Sequence, residues 1–306
     1  FGADTGGYRH SPPDKELYIR WFQQTALSAV MQVGDASSQP VWEFTQENGR
    51  DDATVALFRI FARLHLRLFP YEWTLAQRLR DDSDGGGRPI LRPVGLAYPT
   101  LGQHPDDEYL FGDDLLVAPV LARGQTRRSV LLPPGDWIDW FDGSLRSGGA
   151  SGATVEVAAP LDKLPLFLRA GALVPLLRPS IDTLAPASDA KVESFASDPG
   201  ILYVRVAPGP AGRFQLFDGT TIAQENGGKT LRFQAGSRFQ KGVVLEVLRV
   251  GPPQSIKLDG QPLTALASDA ALEVAPSGWY YDRAAPGTLW LRLPNAAAEQ
   301  VVTAEW

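Results

Sequence analysis

No cysteine occurs in the 306 residues, which excludes disulfides, thiolate catalysis and cysteine-ligated metal sites. Imidazoles are scarce as well, with only His10, His65 and His104 available. No run approaches the roughly 18 to 20 apolar residues that a membrane span needs, and no signal peptide is visible. Basic clusters are also lacking: the formal net charge is -6, and a nucleic-acid or anionic-membrane surface would require a basic stripe. The expected partner is therefore neutral or small, with no nucleic acid and no cofactor. What is present is an ordinary core-forming composition, 44% hydrophobic and 21% charged, long enough for two or three domains.

The chain opens on Phe-Gly-Ala-Asp-Thr-Gly-Gly-Tyr, residues 1 to 8, which reads as a short strand, a lone carboxylate at Asp4 and a glycine-rich turn. A strand that begins a chain in mid-motif, with no initiator Met, calls for neighbours to pair with. This predicts the back part of a larger protein, with a preceding N-terminal part as its first partner. Asp14 then reads as an N-cap, opening a helix to about Ala29 with Leu17, Trp21, Leu27 and Val30 among its apolar positions. A second short apolar run covers residues 29–33, a polar loop covers 34–50, and one long helix is predicted over 52–80. Val55, Phe58, Phe61, Ala62, Leu68 and Leu75 mark its buried side, and Pro70 should kink it. Strand, helix, strand, helix is the grammar of a parallel α/β sheet or barrel. Four elements are too few to close an eight-stranded barrel, which takes about 250 residues.

From Gly85-Gly86-Gly87 onward, short strands and turn signals replace the helical period: Pro133-Pro134-Gly135, Ser147-Gly148-Gly149, Ala207-Pro208-Gly209-Pro210. The stretch 178–188, rich in Pro, Ser and Ala, predicts a division into two all-β pieces. In the second, residues 212–217, 242–250 and 288–293 read as strands that alternate faces.

Gly-Ala-Asp-Thr-Gly-Gly-Tyr followed by Glu16-Leu17-Tyr18-Ile19-Arg20-Trp21 resembles the seventh barrel strand and following helix of family 31 glycoside hydrolases. The resemblance continues in order through Leu68-Phe69-Pro70-Tyr71, Leu91-Arg92-Pro93, Phe111-Gly112-Asp113-Asp114-Leu115-Leu116-Val117-Ala118-Pro119-Val120, Leu132-Pro133-Pro134-Gly135-Asp136-Trp137 and Ala159-Pro160-Leu161-Asp162-Lys163-Leu164-Pro165-Leu166-Phe167-Leu168-Arg169-Ala170-Gly171. Beyond residue 179 it is loose, as in Phe217-Asp218-Gly219-Thr220. It implies an α/β plus all-β chain: the end of a (β/α)8 TIM barrel, strands seven and eight with their helices, over 1–87. A proximal C-terminal β domain over 88–179 and a distal β-sandwich over 180–306 would follow. It also implies retaining hydrolysis of terminal α-linked sugars, with an oligosaccharide or glycoside as partner and both catalytic aspartates upstream of this chain.

Residue by residue, the resemblance places Asp4 under a sugar pocket, against a reading as loop cap, and Tyr8 on the pocket wall, against core packing. Gly6 and Gly7 let the turn form. The departure from the family pattern is at Ala29-Val30-Met31-Gln32-Val33-Gly34, where glucosidase-type members read approximately Pro-Phe-Met-Arg-x-His. Gln32 and Gly34 stand at the arginine and histidine positions, so a maltase-like specificity is not expected and an α-galactosidase-like or other non-glucose one is preferred. Asp35 could supply a replacement hydrogen bond or be a solvated loop residue. Gln39-Pro40-Val41-Trp42 matches a Pro-Trp feature of that subset, with Trp42 stacking on a sugar or anchoring the loop. Arg92-Pro93, the 111–120 strand, Trp137 and Arg169-Ala170-Gly171 read as structural. Asp113-Asp114 and Asp106-Asp107-Glu108 lack the alternating ligands of a calcium loop. His10 and His65 read as a surface and a helix position. The rival from another class is a non-catalytic carbohydrate-binding or structural protein. A secreted or periplasmic setting is favoured without being fixed.

Overall fold

The computed structural model describes residues 2–7, 13–33, 51–80 and 87–306. The chain divides into two compact units: Phe1–His65, Arg88–Phe141 and Leu145–Phe167 form the first, and Leu66–Gly87, Asp142–Ser144 and Leu168–Trp306 the second.

In the first unit, strand β1 (Ala3–Thr5) runs parallel to β2 (Met31–Val33), with helix α1 (Lys15–Thr25) between them in sequence. Asp14 caps α1 as expected, its Oδ1 accepting the Leu17 N–H at 3.0 Å. The helix stops at Thr25, four residues before the predicted end. Thr25 Oγ1 lies 3.2 Å from the Trp21 carbonyl, and Ser28 Oγ donates to the Thr25 carbonyl at 2.7 Å, so side chains satisfy the terminal acceptors that further turns would have taken. The buried face agrees with the expected one at Leu27 and departs from it at Leu17 and Val30. Tyr18, Ile19, Phe22 and Leu27 are fully buried, whereas Leu17 is 52% exposed and Val30 39%.

The 52–80 region forms two helices, α2 (Asp52–Arg67) and α3 (Phe69–Arg78), in place of one kinked helix. Pro70 is the cause: its missing N–H and its ring forbid an interior helical position, but both are harmless in the first turn of α3, where it sits. Phe22 packs edge-on against Phe58 at 5.2 Å and contacts Phe61 at 6.1 Å, which joins α1 to α2.

The all-β part that follows comprises β3 (Leu91–Pro93), β4 (Tyr109–Phe111), β5 (Leu115–Val117), β6 (Arg127–Leu132), β7 (Asp136–Asp139), β8 (Leu145–Ser147), β9 (Ala153–Ala158) and β10 (Leu166–Arg169), whose first two residues belong to the first unit. Six of these strands form one sheet in the order β3-β4-β5-β10-β7-β8, while β6 and β9 pair as an antiparallel ribbon. Trp137 and Phe167 centre the core with Leu110, Leu116, Val130, Leu132 and Val157. The Trp137 indole N–H is satisfied by the Pro133 carbonyl at 2.9 Å. A short helix, α4 (Val94–Ala97), interrupts a stretch expected to be free of helix.

The second unit contains β11 (Leu173–Leu176), β12 (Leu202–Val206), β13 (Gly212–Gln215), β14 (Thr221–Glu225), β15 (Thr230–Gln234), β16 (Val243–Leu248), β17 (Ser255–Leu258), β18 (Gln261–Pro262), helix α5 (Ala270–Val274), β19 (Gly278–Asp282), β20 (Thr288–Leu293) and β21 (Gln300–Glu305). A five-stranded sheet, β11-β12-β16-β20-β19, packs with a six-stranded one, β13-β14-β15-β21-β17-β18, where β11 meets β13 and β14. In β15, Leu231 and Phe233 are buried at alternate positions, the pattern of a half-covered strand. β16 does not alternate: Val243, Val244, Leu245, Val247 and Leu248 are all buried, because both faces of this central strand are covered. The 178–188 stretch connects β11 to β12, which pair directly through Leu173 and Val206. The α/β plus all-β fold class is borne out: a parallel βαβ unit with a following helix pair, then sheet.

Candidate functional site

β1 is short because a turn begins at Gly6. Gly6 and Gly7 take φ of 93° and 99°, a region closed to most side chains, and this lets the Gly7 N–H reach back to the Asp4 carbonyl at 2.8 Å. Thr5 points into the interior, fully buried, with its hydroxyl bonded to Thr25 Oγ1 at 3.0 Å. By strand alternation Asp4 faces the other way. Register then decides its neighbour. Asp4 lies opposite Gln32 on the adjacent parallel strand, and Gln32 Nε2 donates to Asp4 Oδ1 at 2.6 Å. A carboxylate accepts several donors and the amide retains its carbonyl oxygen, so the pair presents acceptors to hydroxyl-bearing ligands at the end of a parallel sheet.

Tyr8, Gly34, Asp35 and Trp42, with His10, lie outside the described residues. The structure therefore brings together two of the six candidate side chains, Asp4 and Gln32.

The helix behind the pair is anchored by a residue that the sequence reading quoted but gave no role. The Arg20 guanidinium, almost fully buried, donates from Nη2 to the carbonyls of Ala159 (2.7 Å) and Gln125 (3.1 Å) and from Nη1 to those of Pro160 and Lys163 (3.1 Å each). Gln23 Nε2 adds the Leu161 carbonyl at 2.7 Å. Burial pushes the Arg20 guanidinium below its ordinary value. The signal was readable: Arg20 and Gln23 interleave with the fully buried Tyr18, Ile19 and Phe22, so polar groups on that face need dedicated partners. Tyr109 on β4 reinforces the joint, its hydroxyl donating to the Leu27 carbonyl at 3.0 Å.

Other marked residues have structural partners. Asp113 is paired with Arg92, and Asp107 with Arg128 at 2.9 Å. Glu108 is buried and accepts the Leu131 N–H at 3.0 Å; desolvation raises its carboxyl to about 7, outweighing that bond and the nearby Arg128. His65 is a packed helix residue whose Nδ1 lies 3.1 Å from the Ala26 carbonyl, and burial lowers its pKa.

Comparison with known proteins bears on the family and the fold. A family model described as the glycosyl hydrolases family 31 TIM-barrel domain matches residues 1–75, and one described as the glycosyl hydrolase family 31 C-terminal domain matches residues 87–174. An isomaltosyltransferase of Sporosarcina globispora is 27% identical over 98% of this chain, which covers 28% of that protein. A 1,3-alpha-isomaltosidase of Kribbella flavida is 33% identical over 56% of the chain, covering 24% of the relative. The crystal structure of a cycloalternan-forming enzyme from Listeria monocytogenes, in complex with a pentasaccharide substrate, superimposes with a TM-score of 0.80 at 24% identity, over 99% of this chain and 29% of that one. This chain thus spans between 24% and 29% of the length of these three relatives. The ordered motifs and both family models agree that the chain belongs to glycoside hydrolase family 31.

Proposed function

We propose that this chain supplies the end of the barrel and the C-terminal β domains of a retaining enzyme that cleaves or transfers α-linked glucosyl units. The observation that carries the reading is the Asp4–Gln32 pair, held side by side on adjacent parallel strands within the barrel-domain match. In a (β/α)8 barrel the substrate pocket lies at the carboxyl ends of the strands, where such a pair would offer acceptors to sugar hydroxyls. The carboxylates that attack the anomeric carbon and protonate the leaving oxygen belong, in this reading, to barrel strands outside this chain. About 5 Å between them leaves no room for an inverting water.

The sugar is where the sequence reading is corrected. The α-galactosidase-like leaning drawn from Gln32 and Gly34 finds no support in the relatives above, whose names speak of isomaltosyl and cycloalternan chemistry. A Gln in place of a basic residue changes how Asp4 is held, and this does not by itself change which sugar is read. Tyr8, Gly34, Asp35 and Trp42 stay in the proposal as pocket-lining positions of the two strand-end loops. The boundaries 1–87, 88–179 and 180–306 stay as the proposed division into barrel end, proximal and distal β domains.

The test is a comparison of this chain with a longer protein that carries it together with the remaining barrel strands, on nitrophenyl α-glucoside, α-galactoside and isomaltotriose. Turnover of the glucoside or isomaltotriose by the longer protein alone is the expected result. Hydrolysis by the 306-residue chain would overturn the placement of the catalytic carboxylates, and a galactoside preference would overturn the sugar. Binding without turnover would favour a non-catalytic carbohydrate-binding protein.

A further inference from the structure

In the second unit, a cleft of about 1010 Å³ lies between α3 and the strand β13 with the residues that follow it; Trp73, Gln77, Arg78, Arg213, Gln215 and Phe217 are among its walls. Trp73 is 45% exposed, yet its ring is not loose. It stacks on Phe69 at 6.0 Å and 19°, and Phe69 is wedged edge-on against Phe195 at 5.1 Å and Phe217 at 6.3 Å. A large apolar ring is thus fixed in orientation while nearly half of it stays in water. That arrangement suits a platform better than a core residue.

The polar groups around it are planar hydrogen-bonding groups. The Arg78 guanidinium lies 4.7 Å from the centroid of the Phe214 ring, and its Nη2 donates to the Gln215 carbonyl at 2.9 Å, so its remaining N–H groups are pre-aimed. Arg213 and Gln215 flank the buried Phe214 on β13 and are exposed, as strand alternation requires. Gln77 follows Trp73 by one helical turn on α3 and is exposed. Among the described residues that line the cleft there is no carboxylate.

We propose that this cleft is a second, non-catalytic saccharide site that takes a segment of an α-glucan chain. A ring face meets the C–H face of a pyranose, and fork-shaped guanidinium and amide groups match pairs of adjacent hydroxyls. The charged groups among the described wall residues are the guanidiniums of Arg78, Arg80 and Arg213, all hydrogen-bond donors, which suits a polyhydroxylated chain rich in acceptors. The choice of an α-glucan over other saccharides rests on the proposed function above. The site itself rests on the cleft.

Affinity electrophoresis through gels containing dextran tests it, on the 306-residue chain and on the longer enzyme that carries it. Dextran is expected to retard both. Trp73→Ala should weaken retardation about tenfold, and Arg213→Ala, an exposed strand position, should weaken it too. Neither change should alter kcat/KM on nitrophenyl α-glucoside. No retardation of the unsubstituted chain, or retardation indifferent to both changes, would overturn the site. Retardation by polygalacturonate but not by dextran would overturn the neutral glucan. Should Trp73→Ala fail to fold, Arg213→Ala and Gln77→Ala carry the test. Trp73-dependent binding in an enzyme that turns over no α-glucoside would sink the proposed function and leave this inference standing.

Discussion

Asp4 is held by Gln32 through one 2.6 Å bond between register partners on two parallel strands, a carboxyl oxygen held by an uncharged amide donor. One amide N–H donor fixes the orientation of the Asp4 side chain. The partner on the next strand therefore sets the direction in which Asp4 accepts further hydrogen bonds.

In the longer enzyme, Asp4→Asn is expected to lower kcat/KM about 100-fold, the scale of removing one oriented polar contact in a site. Gln32→Glu would set two carboxylates against each other and is expected to cost at least about tenfold. Asp113→Asn, at the Arg92 pair, should change kcat/KM by less than about twofold. Steady-state kinetics on nitrophenyl α-glucoside checks all three. Equal losses for Asp4→Asn and Asp113→Asn would remove Asp4 from the site.

Arg20 is a stability position. Arg20→Met should destabilise the chain by about 3 kcal/mol, because the carbonyls at 125, 159, 160 and 163 lose a charged donor at once. Denaturant unfolding followed by tryptophan fluorescence reads this as a lower midpoint. Arg20→Lys should recover only part of the loss, since one ammonium cannot span the same fork.

Glu108 makes stability pH-dependent. Its carboxyl is raised from 4.5 to about 7 by burial, so the folded chain holds a proton that the unfolded chain has released. Its contribution is complete below about pH 4.5 and is lost as pH rises towards 7. Glu72, likewise raised to about 7 by desolvation, acts in the same direction. Glu108→Gln and Glu72→Gln should each flatten the fall in unfolding midpoint across that window, and an unchanged slope in both would contradict the assignment.

Gly7 occupies φ of 99°, where a Cβ is strained. Gly7→Ala should cost about 2 kcal/mol and displace the turn that holds the Asp4 carbonyl. The readouts are the unfolding midpoint and kcat/KM of the longer enzyme, both of which should fall. A change in neither would mean that the turn tolerates a side chain.

Local signals were legible wherever the cause was local. Asp14 as a cap, Gly6-Gly7 as a turn and the strands within 212–217, 242–250 and 288–293 follow from side chains acting on their own backbone. Leu17 was misjudged because periodicity shows that a helix has an apolar stripe without showing which of two overlapping stripes meets a neighbour; Phe58 and Phe61 settle that by packing on Phe22. Pro70 signalled a disruption, and only the packed chain shows two helices rather than a kink.

The sequence alone determined the α/β start and all-β continuation, the lack of cysteine chemistry and the family, because composition, turn residues and ordered motifs are one-dimensional. Tertiary structure decided that Asp4 meets Gln32 across 28 residues, that Arg20 is spent on the 159–163 carbonyls, and that Trp73 is fixed beside a cleft. Those are contacts between distant segments. Register, burial and the need to satisfy every buried polar group set them only once the chain has closed on itself.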